Sequence, residues 1–292
     1  MQLALLVTHI RAEEKLLIIA FQDAGIEPDI ILDRDLNIDL TGGPAQLAPS
    51  GVPWHDYDLV VERCVSTSRG MYMLAILERW GVRTINSYRT ATICADKLLT
   101  TLALAGAGVP QPVTRVAFDT ASAMQAINNV GYPAVLKPVT GSWGRLLARV
   151  NDSDSAEAIL EHRHTLGNYT YHTHYIQAYV EKPGRDIRAF VVGDQTICAI
   201  YRTSPHWITN TARGGSASNC PVTPELDALC QRAANAVGGG VLAIDLLETA
   251  DGSLVINEVN HTMEFRNSSA PTGVDIAARV VQYALAAAAV QA

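Results

Sequence analysis

Residues 245–260, DLLETADGSLVINEVN, constrain the fold of this chain more tightly than any other stretch. Residues 241–247 and 253–259 are β-branched or leucine-rich, and Ala250, Asp251 and Gly252 form a turn signal between them. Two short apolar runs around such a turn dictate an antiparallel hairpin. Antiparallel pairing then sets Asp245, near the end of one strand, beside Glu258 and Asn260 at the end of the other. Three hard oxygen ligands converging in one place suit Mg²⁺, which takes one or two carboxylates and leaves room for phosphate oxygens. The same residues also fit an ordinary hairpin with solvated acidic ends, so this segment alone does not choose between the two.

A second phosphate signal lies far upstream, in residues 132–145, YPAVLKPVTGSWGR. An apolar strand, 134–136, ends in Lys137 and Pro138, and the glycine-punctuated loop Gly141-Ser142-Trp143-Gly144-Arg145 follows. Glycines allow backbone N–H groups to turn toward a phosphate with no Cβ in the way. Lys137 and Arg145 add positive charge at the two flanks. The spacing matches neither the P-loop, which needs Gly-Lys-Ser/Thr opening a helix, nor the dinucleotide Gly-x-Gly-x-x-Gly. A plain turn holding two glycines remains the alternative.

A third segment, IQAYVEKPGRDIR at 176–188, contains a short strand over 176–180, a Lys-Pro-Gly turn, and Asp186-Ile187-Arg188 opening a further strand over 187–192. Gln177 and Tyr179 alternate with apolar neighbours and so project to the opposite face. Free backbone groups on such an edge can read an adenine ring, with Glu181 in reach of a ribose hydroxyl. Arg188 sits on a strand otherwise built for burial, and a charge there demands a partner, either a substrate or an acidic side chain in the core.

Taken in order, Lys97, Lys137-Pro138 with Gly141 to Gly144, Gln177 to Glu181, Asp186-Ile187-Arg188, Asp245 and Glu258-x-Asn260 resemble the ATP-grasp superfamily over about two thirds of the chain. The remaining N-terminal part fits that family's small leading domain. More narrowly, VERCVSTSRG (61–70), LKPVTGSWGR, YVEKPGRDIR, HWITNTARGG (206–215) and NEVNHTMEF (257–265) are similar to the RimK/LysX family. The LysX members couple α-aminoadipate to the amino-group carrier protein LysW in lysine biosynthesis. The resemblance implies an α/β (α+β) ATP-grasp fold of three units, 1–88, 89–174 and 175–292, with ATP held between the central and C-terminal units.

Composition agrees. A chain of 292 residues with 48% hydrophobic residues can build two or three compact units. It has no run of about 18 uncharged apolar residues, as a membrane span would need. Residues 1–7 form an apolar strand without the basic flank of a signal peptide, and residues 8–15 turn polar at once. Five cysteines (Cys64, Cys94, Cys198, Cys220, Cys230) are scattered and form no Cys-x-x-Cys pair, which fits reduced thiols in a cytoplasm. A net charge of −7 argues against non-specific nucleic-acid binding, though local patches can still receive an anionic partner.

Along the first unit, strand and helix alternate: strands at 2–7, 29–33, 58–62 and 82–85, helices at 13–24 and 70–80, and loop over 37–57. This alternation predicts a small parallel sheet. Arg63 and Arg69 flank Ser66-Thr67-Ser68 at a helix start, where the hydroxyls serve either as caps, the preferred reading, or as part of an anion site. The central unit carries one helix over 90–105 bearing Asp96-Lys97, strands at 113–118 and 134–138, and helices at 120–129 and 154–164. Residues 165–174 read as mobile loop. A metal cluster of His162, His164, His172 and His174 has no standard zinc spacing. The last unit holds strands around the acidic hairpin, a helix over 225–237 and a terminal helix over 277–292. The polar segment 202–215 has too few apolar residues for core and is expected to close over substrates.

Roles then follow from the resemblance, residue by residue. Lys97 and Lys137 would hold the ATP phosphates and adenine respectively, with Gly141, Ser142, Trp143, Gly144, Arg145, Leu146 and Leu147 folding over the triphosphate. Gln177, Ala178, Tyr179, Val180 and Glu181 would line adenine and ribose, with Asp186 and Asn210 as further nucleotide contacts. Arg188 would touch the transferring oxygens, and Asp245, Glu258 and Asn260 would carry one or two Mg²⁺ ions. Arg202, Arg213 and Asn260 are candidates for the amino acid's carboxylates. Asn267-Ser268 resembles the Asn-Ser/Thr motif that separates LysX from its glutamate-using relative ArgX, which has Gly-Phe there. Family analogy also implies a homo-oligomer, dimer or tetramer.

Overall fold

The computed structural model describes residues 1–41, 51–141, 144–167, 169–209 and 214–290. The expected alternation gives β1 (Leu3–Val7), α1 (Ala12–Asp23), β2 (Asp29–Leu32), β3 (Leu59–Arg63), α2 (Thr67–Arg79) and β4 (Thr84–Ile85). These strands form a wholly parallel sheet in the order β2-β1-β3-β4. All five residues of β1 (LALLV) are buried, as a strand covered on both faces must be. Trp54, in the stretch expected as loop, forms a single 3₁₀ turn with His55 and Asp56 and packs into the core below this sheet at 2% exposure.

The second sheet is antiparallel, in the order β5-β8-β6-β7. It is built from β5 (Thr114–Ala117), β6 (Ala134–Lys137), β7 (Ala148–Val150) and β8 (His174–Ala178), with α5 (Thr120–Val130) and α6 (Ser153–Leu166) on one side. Asp119 and Asp152 cap these helices by accepting first-turn N–H groups, which would otherwise lack partners.

The third sheet orders β11-β10-β9-β12-β13, all antiparallel. Its strands are β9 (Arg185–Val192), β10 (Gln195–Thr203), β11 (Ser216–Cys220), β12 (Val241–Glu248) and β13 (Leu254–Asn260). One face packs α7 (Pro224–Val237). The other packs α9 (Ile276–Ala289), which also lies against α1 and β3, so one continuous core joins the first and third sheets. Asn86 clips the same junction: its side chain donates to the carbonyls of Val241 (2.8 Å) and His261 (2.6 Å) and accepts from Val241 N–H (2.7 Å).

Instead of the single helix expected over 90–105, the chain forms α3 (Tyr88–Ala95) and α4 (Lys97–Gly106), interrupted at Asp96. Asp96 is extended (φ −122°, ψ 119°), caps α4 by accepting from the N–H groups of Leu98 and Leu99, and bridges to Thr140. Helix α4 therefore starts at Lys97, beside the strand end that precedes the glycine loop. Both helices lean on α7 and β13, so Cys94, Leu104 and Val109 enter the core of the third sheet. A short α8 (Ser269–Thr272) follows β13. Among the described residues no helix is long and apolar enough to cross a membrane.

Candidate active site

In the hairpin of β12 and β13, Asp245 stands opposite Glu258 and Ala243 opposite Asn260, with a bulge just after Asp245. On its other side Asp245 faces Arg188 of β9, and one step along, Asp186 of β9 faces Arg202 of β10. Directly paired residues share a sheet face, so charged side chains form a patch across four strands. Arg188 grips Asp245 with two hydrogen bonds, Nε to Oδ1 at 2.7 Å and Nη2 to Oδ2 at 2.8 Å. Arg202 reaches Asp245 Oδ2 at 3.2 Å and forks onto Asp186 at 2.6 and 2.8 Å. Burial opposes charge on Asp245, yet Arg188 and Arg202 outweigh it and hold the carboxyl well below the usual carboxylate range. Arg202 also loses by burial, and Asp245 with Asp186 more than reverse that, so its guanidinium stays charged.

The glycine loop meets this patch from the second sheet. Lys137, at the end of β6 and 6% exposed, donates to Asn257 Oδ1 at 2.8 Å. Burial pushes its ammonium down to about 8 even though Glu258 pulls the other way. Lys97 donates to the Gly141 carbonyl at 2.9 Å and lies 3.6 Å from Glu258 Oε1. At Gly144 (φ +62°) a side chain would have to be left-handed, and a Cβ would approach Ile208 within 3.2 Å. The loop and the 204–209 segment thus close on each other over the charged patch.

Two open cavities flank it. The first, about 690 Å³, is lined by the apolar residues Val135, Leu147, Ala178, Tyr179, Val180 and Leu247 and by the charged residues Lys137, Lys182, Asp186, Arg202, Asp245 and Glu258. Gly144, Gln177, Trp207, Ile208, Thr209 and Asn257 complete it. A lining that mixes apolar and charged residues suits a ligand carrying both a flat base and phosphates. The second cavity, about 700 Å³, is lined by Arg11, Cys64 and Val65 from the first unit, and by Arg188, Asn260, Thr262 and Glu264 from the third. Gly144, Asp245 and Glu258 line both. The shared wall is where a group could pass from one occupant to the other.

Asp245, Glu258 and Asn260 fit Mg²⁺ held jointly with phosphates. They offer two carboxylates and an amide on adjoining strands, and Asn260 Nδ2 is an enclosed amide atom with no hydrogen-bond partner. Which end of the amide faces the cavity is a matter of assignment, so the oxygen can serve equally. Among the described residues no three His, Cys, Asp or Glu side chains form a complete metal cage. Mg²⁺ needs none when phosphate oxygens supply the remaining positions.

Several expected contacts line neither cavity, and others line one but are held by neighbouring side chains. Gly141, Arg145, Leu146 and Glu181 are exposed and line neither cavity; Leu146 points outward at 63% exposure. Arg202 is enclosed, with Nε and Nη2 committed to Asp186 and Asp245, which leaves little of it for a substrate carboxylate. Asp186 is likewise committed, to Arg202, Lys182 and the Thr209 hydroxyl. Asn267 is exposed and Ser268 buried in the turn before α8, neither lining a cavity. Ser142, Trp143, Asn210 and Arg213 lie outside the described residues. Ser66 does not cap α2 with its side chain, contrary to the preferred reading. The anion site gains nothing either, because Arg63 is bound to Glu14 and the Met263 carbonyl, and Arg69 to Asp33. The rings of His164 and His172 stack at 5.6 Å.

Other lining residues escaped the sequence reading. Arg11 occupies the N-terminal cap position of α1, where a cation is electrostatically disfavoured. That misfit was the available signal. Fully enclosed Glu14 holds it there at 2.9 Å while also pairing with Arg63 at 3.0 Å. Asn257 and Lys182 carry no comparable mark.

Residues 94–284 match the RimK-like ATP-grasp domain and residues 3–93 the LysX preATP-grasp domain. A glutamate–LysW ligase ArgX from Sulfurisphaera tokodaii is 33% identical over 289 residues, covering 97% of this chain and 98% of that one. An α-aminoadipate–LysW ligase LysX from Saccharolobus solfataricus is 38% identical over 215 residues, 73% of this chain and 78% of that one. The crystal structure of a RimK domain ATP-grasp protein from Sphaerobacter thermophilus superposes with a TM-score of 0.80 at 30% identity, over 98% of this chain and 100% of that one. Two matched domains that together span nearly the whole chain, on the fold and cleft described above, make it a member of the RimK-like ATP-grasp ligases with a LysX-type domain at its front.

Proposed function

We propose that this ligase joins the α-amino group of α-aminoadipate to the γ-carboxyl of the C-terminal glutamate of a LysW-type carrier protein, using ATP and passing through an acyl phosphate. The observation that carries the reading is the wall shared by the two cavities, Asp245 and Glu258 with Gly144 above them. ATP would occupy the first cavity, its base against Ala178, Tyr179 and Val180, and the carrier's carboxylate would enter from the second.

A carboxylate resists attack by an amine because it is anionic and lacks a leaving group. Transfer of the γ-phosphoryl group from ATP to a carboxylate oxygen, with ADP leaving, supplies one; the amine nitrogen then forms the C–N bond and gives up a proton as phosphate departs with the C–O electron pair. Asp245, Glu258 and Asn260 would hold Mg²⁺, which would supply neutralisation of the phosphate charge. The protein's own part is mostly orientation. Arg188, locked by Asp245 in a bidentate pair, presents a fixed guanidinium to the second cavity. Lys97 brings positive charge from the loop side, where charge-assisted bonds to phosphate oxygens are strongest; Lys137, expected against the adenine, lines the same cavity as Asp245 and Glu258 and is assigned here to the phosphates instead. Residues 204–209, with Trp207 against Tyr179 at 6.3 Å between ring centroids, limit water entry to an intermediate that water would hydrolyse.

Aminoadipate rather than glutamate rests on Asn267-Ser268, which match the LysX pattern and lack the Gly-Phe of ArgX. The second reading, glutamate as the amine donor, is favoured by the ArgX relative's coverage of nearly the whole chain. The two amino acids differ by one methylene, worth about 1–3 kcal/mol in a fitted pocket. A RimK-type glutamate ligase acting on a protein tail and a non-catalytic ATP-binding module are further alternatives. Five free, buried cysteines support a reducing, cytoplasmic setting. The deciding experiment is intact-mass measurement of purified carrier incubated with the ligase, Mg-ATP and each amino acid. An added aminoadipyl mass with ADP release is expected. Preferential addition of glutamate would transfer the reading to the ArgX reaction, and no mass change or ADP with either would refute ligation to this carrier.

A further inference from the structure

Arg163, on α6, is 8% exposed and lies behind the glycine loop, away from both cavities of the site. Its Nη2 donates to two carbonyls at once, Leu136 at 3.3 Å and Leu146 at 3.1 Å. Those carbonyls flank the mouth of the loop. Leu136 pairs with Ala148 in the last rung of the β6–β7 ladder, one residue before Lys137, and Leu146 is where the chain returns toward β7. Leu146 is also the single non-glycine residue with positive φ (+60°) among the described residues. Such a conformation opposes the preference of an L-residue and needs outside support.

The choice of side chain is informative. Among the described residues no carboxylate pairs with Arg163, and burial draws its guanidinium down from the ordinary arginine value. The groove behind the loop is lined by Leu147, Ala148, Ile159 and Leu166 beside His162 and Tyr171, a mostly apolar setting in which an aliphatic side chain would pack without desolvating a charge. Apolar packing alone therefore gives no reason for an arginine here. Two carbonyls aimed at one point do, because only a cationic donor satisfies both with charge-assisted bonds.

We propose that Arg163 is a positioning residue for ATP: it staples the two ends of the glycine loop and so sets the loop's distance from Lys137 and the nucleotide cleft. The inference rests on the reading that ATP binds in that cleft. The test is direct titration of the full-length protein with a non-hydrolysable ATP analogue and Mg²⁺, together with KM values for ATP, amino acid and carrier, and melting temperatures, for wild type, Arg163→Met and Arg163→Lys. The Met variant should bind nucleotide about tenfold more weakly, the effect of losing roughly one charge-assisted hydrogen bond. Its melting temperature should fall by no more than a few degrees, because two carbonyls lose one donor, and its KM for the amino acid should stay within about twofold of wild type. The Lys variant, which keeps one charged donor, should recover part of the nucleotide affinity, which a purely structural role would not produce. Wild-type nucleotide affinity in both variants overturns the proposal, as does a Met variant in which stability and every KM worsen together without partial rescue by Lys. Absence of nucleotide binding by the wild-type protein would instead remove the functional reading beneath it.

Discussion

Asp245 and Glu258 are assigned the same chemistry but carry different structural burdens, and substitution should separate the two. Asp245 is 5% exposed and receives three hydrogen-bond or ion-pair contacts, two from Arg188 and one from Arg202. Asp245→Asn keeps the shape and removes the charge. Arg202 retains Asp186, whereas Arg188 is left as a largely buried guanidinium without an anion. Breaking a buried pair in this way costs about 3–5 kcal/mol. For a chain of this size about 2 °C accompanies each kcal/mol, so the melting temperature should fall by roughly 6–10 °C. Glu258 has a 28% exposed side chain and a single loose pairing, 3.6 Å from Lys97. Glu258→Gln should then cost at most about 1 kcal/mol, close to 2 °C. Both variants should lose roughly 10²-fold or more in single-turnover ADP formation at saturating Mg²⁺, since each removes charge stabilisation at the transferring group. The pH response separates them further. Because the Asp245 pKa is depressed in the folded protein, its stabilisation is complete above the unfolded carboxyl pKa of about 3.9 and is lost on acidification toward the folded value. The Asn variant should lack that acid-dependent component. Equal melting temperatures for the two variants would refute the partition, and undiminished turnover by Glu258→Gln would remove it from the magnesium site.

Lys137 supplies a test of nucleotide placement. Its ammonium titrates near 8 when buried beside Asn257, so the penalty for charging it is fully present below that pH and is relieved as pH rises from about 8 toward its ordinary 10.5. Phosphates nearby should restore the charge, and ATP binding at pH 8 should take up about half a proton, falling toward zero by pH 6.5. Calorimetry in two buffers of different ionisation enthalpy measures this, and an uptake that persists in Lys137→Met would assign it elsewhere. Replacing Asn267-Ser268 by Gly-Phe should shift the ratio of kcat/KM for aminoadipate over glutamate by about tenfold toward glutamate, the worth of one methylene. Because neither residue lines a cavity here, an unchanged ratio would place selectivity among the residues that do, such as Arg11 and Thr262.

What could be read from the residues themselves divides along the distance over which information must travel. The hairpin was legible because both apolar runs, their turn and the Asp245–Glu258 register lie within nineteen consecutive residues, so periodicity alone places the acids side by side. The glycine loop and the helices of the first unit were legible for the same local reason. The break at Asp96 was not, because helical spacing continues through it and only the distant Thr140 backbone and the capping geometry favour an extended residue there. Strands β7 and β11 are short; in β11 four of five residues (Ser216, Ala217, Ser218 and Asn219) remain at least partly exposed, so no apolar alternation announces it. Arg202 shows the limit most clearly. On the sequence it is a cation opening a polar segment and invites a substrate carboxylate, yet its acids are Asp186, across a strand pair, and Asp245, from another hairpin. A buried charge must find its counter-charge, but which one it finds is decided by register between strands far apart in the chain. The same rule accounts for Arg11, whose place at the second cavity depends on a buried Glu14 and on a segment some 250 residues later. Chemistry at this site is therefore written locally as residue types, while the division into ligands for substrate and supports for other ligands emerges only when the three sheets meet.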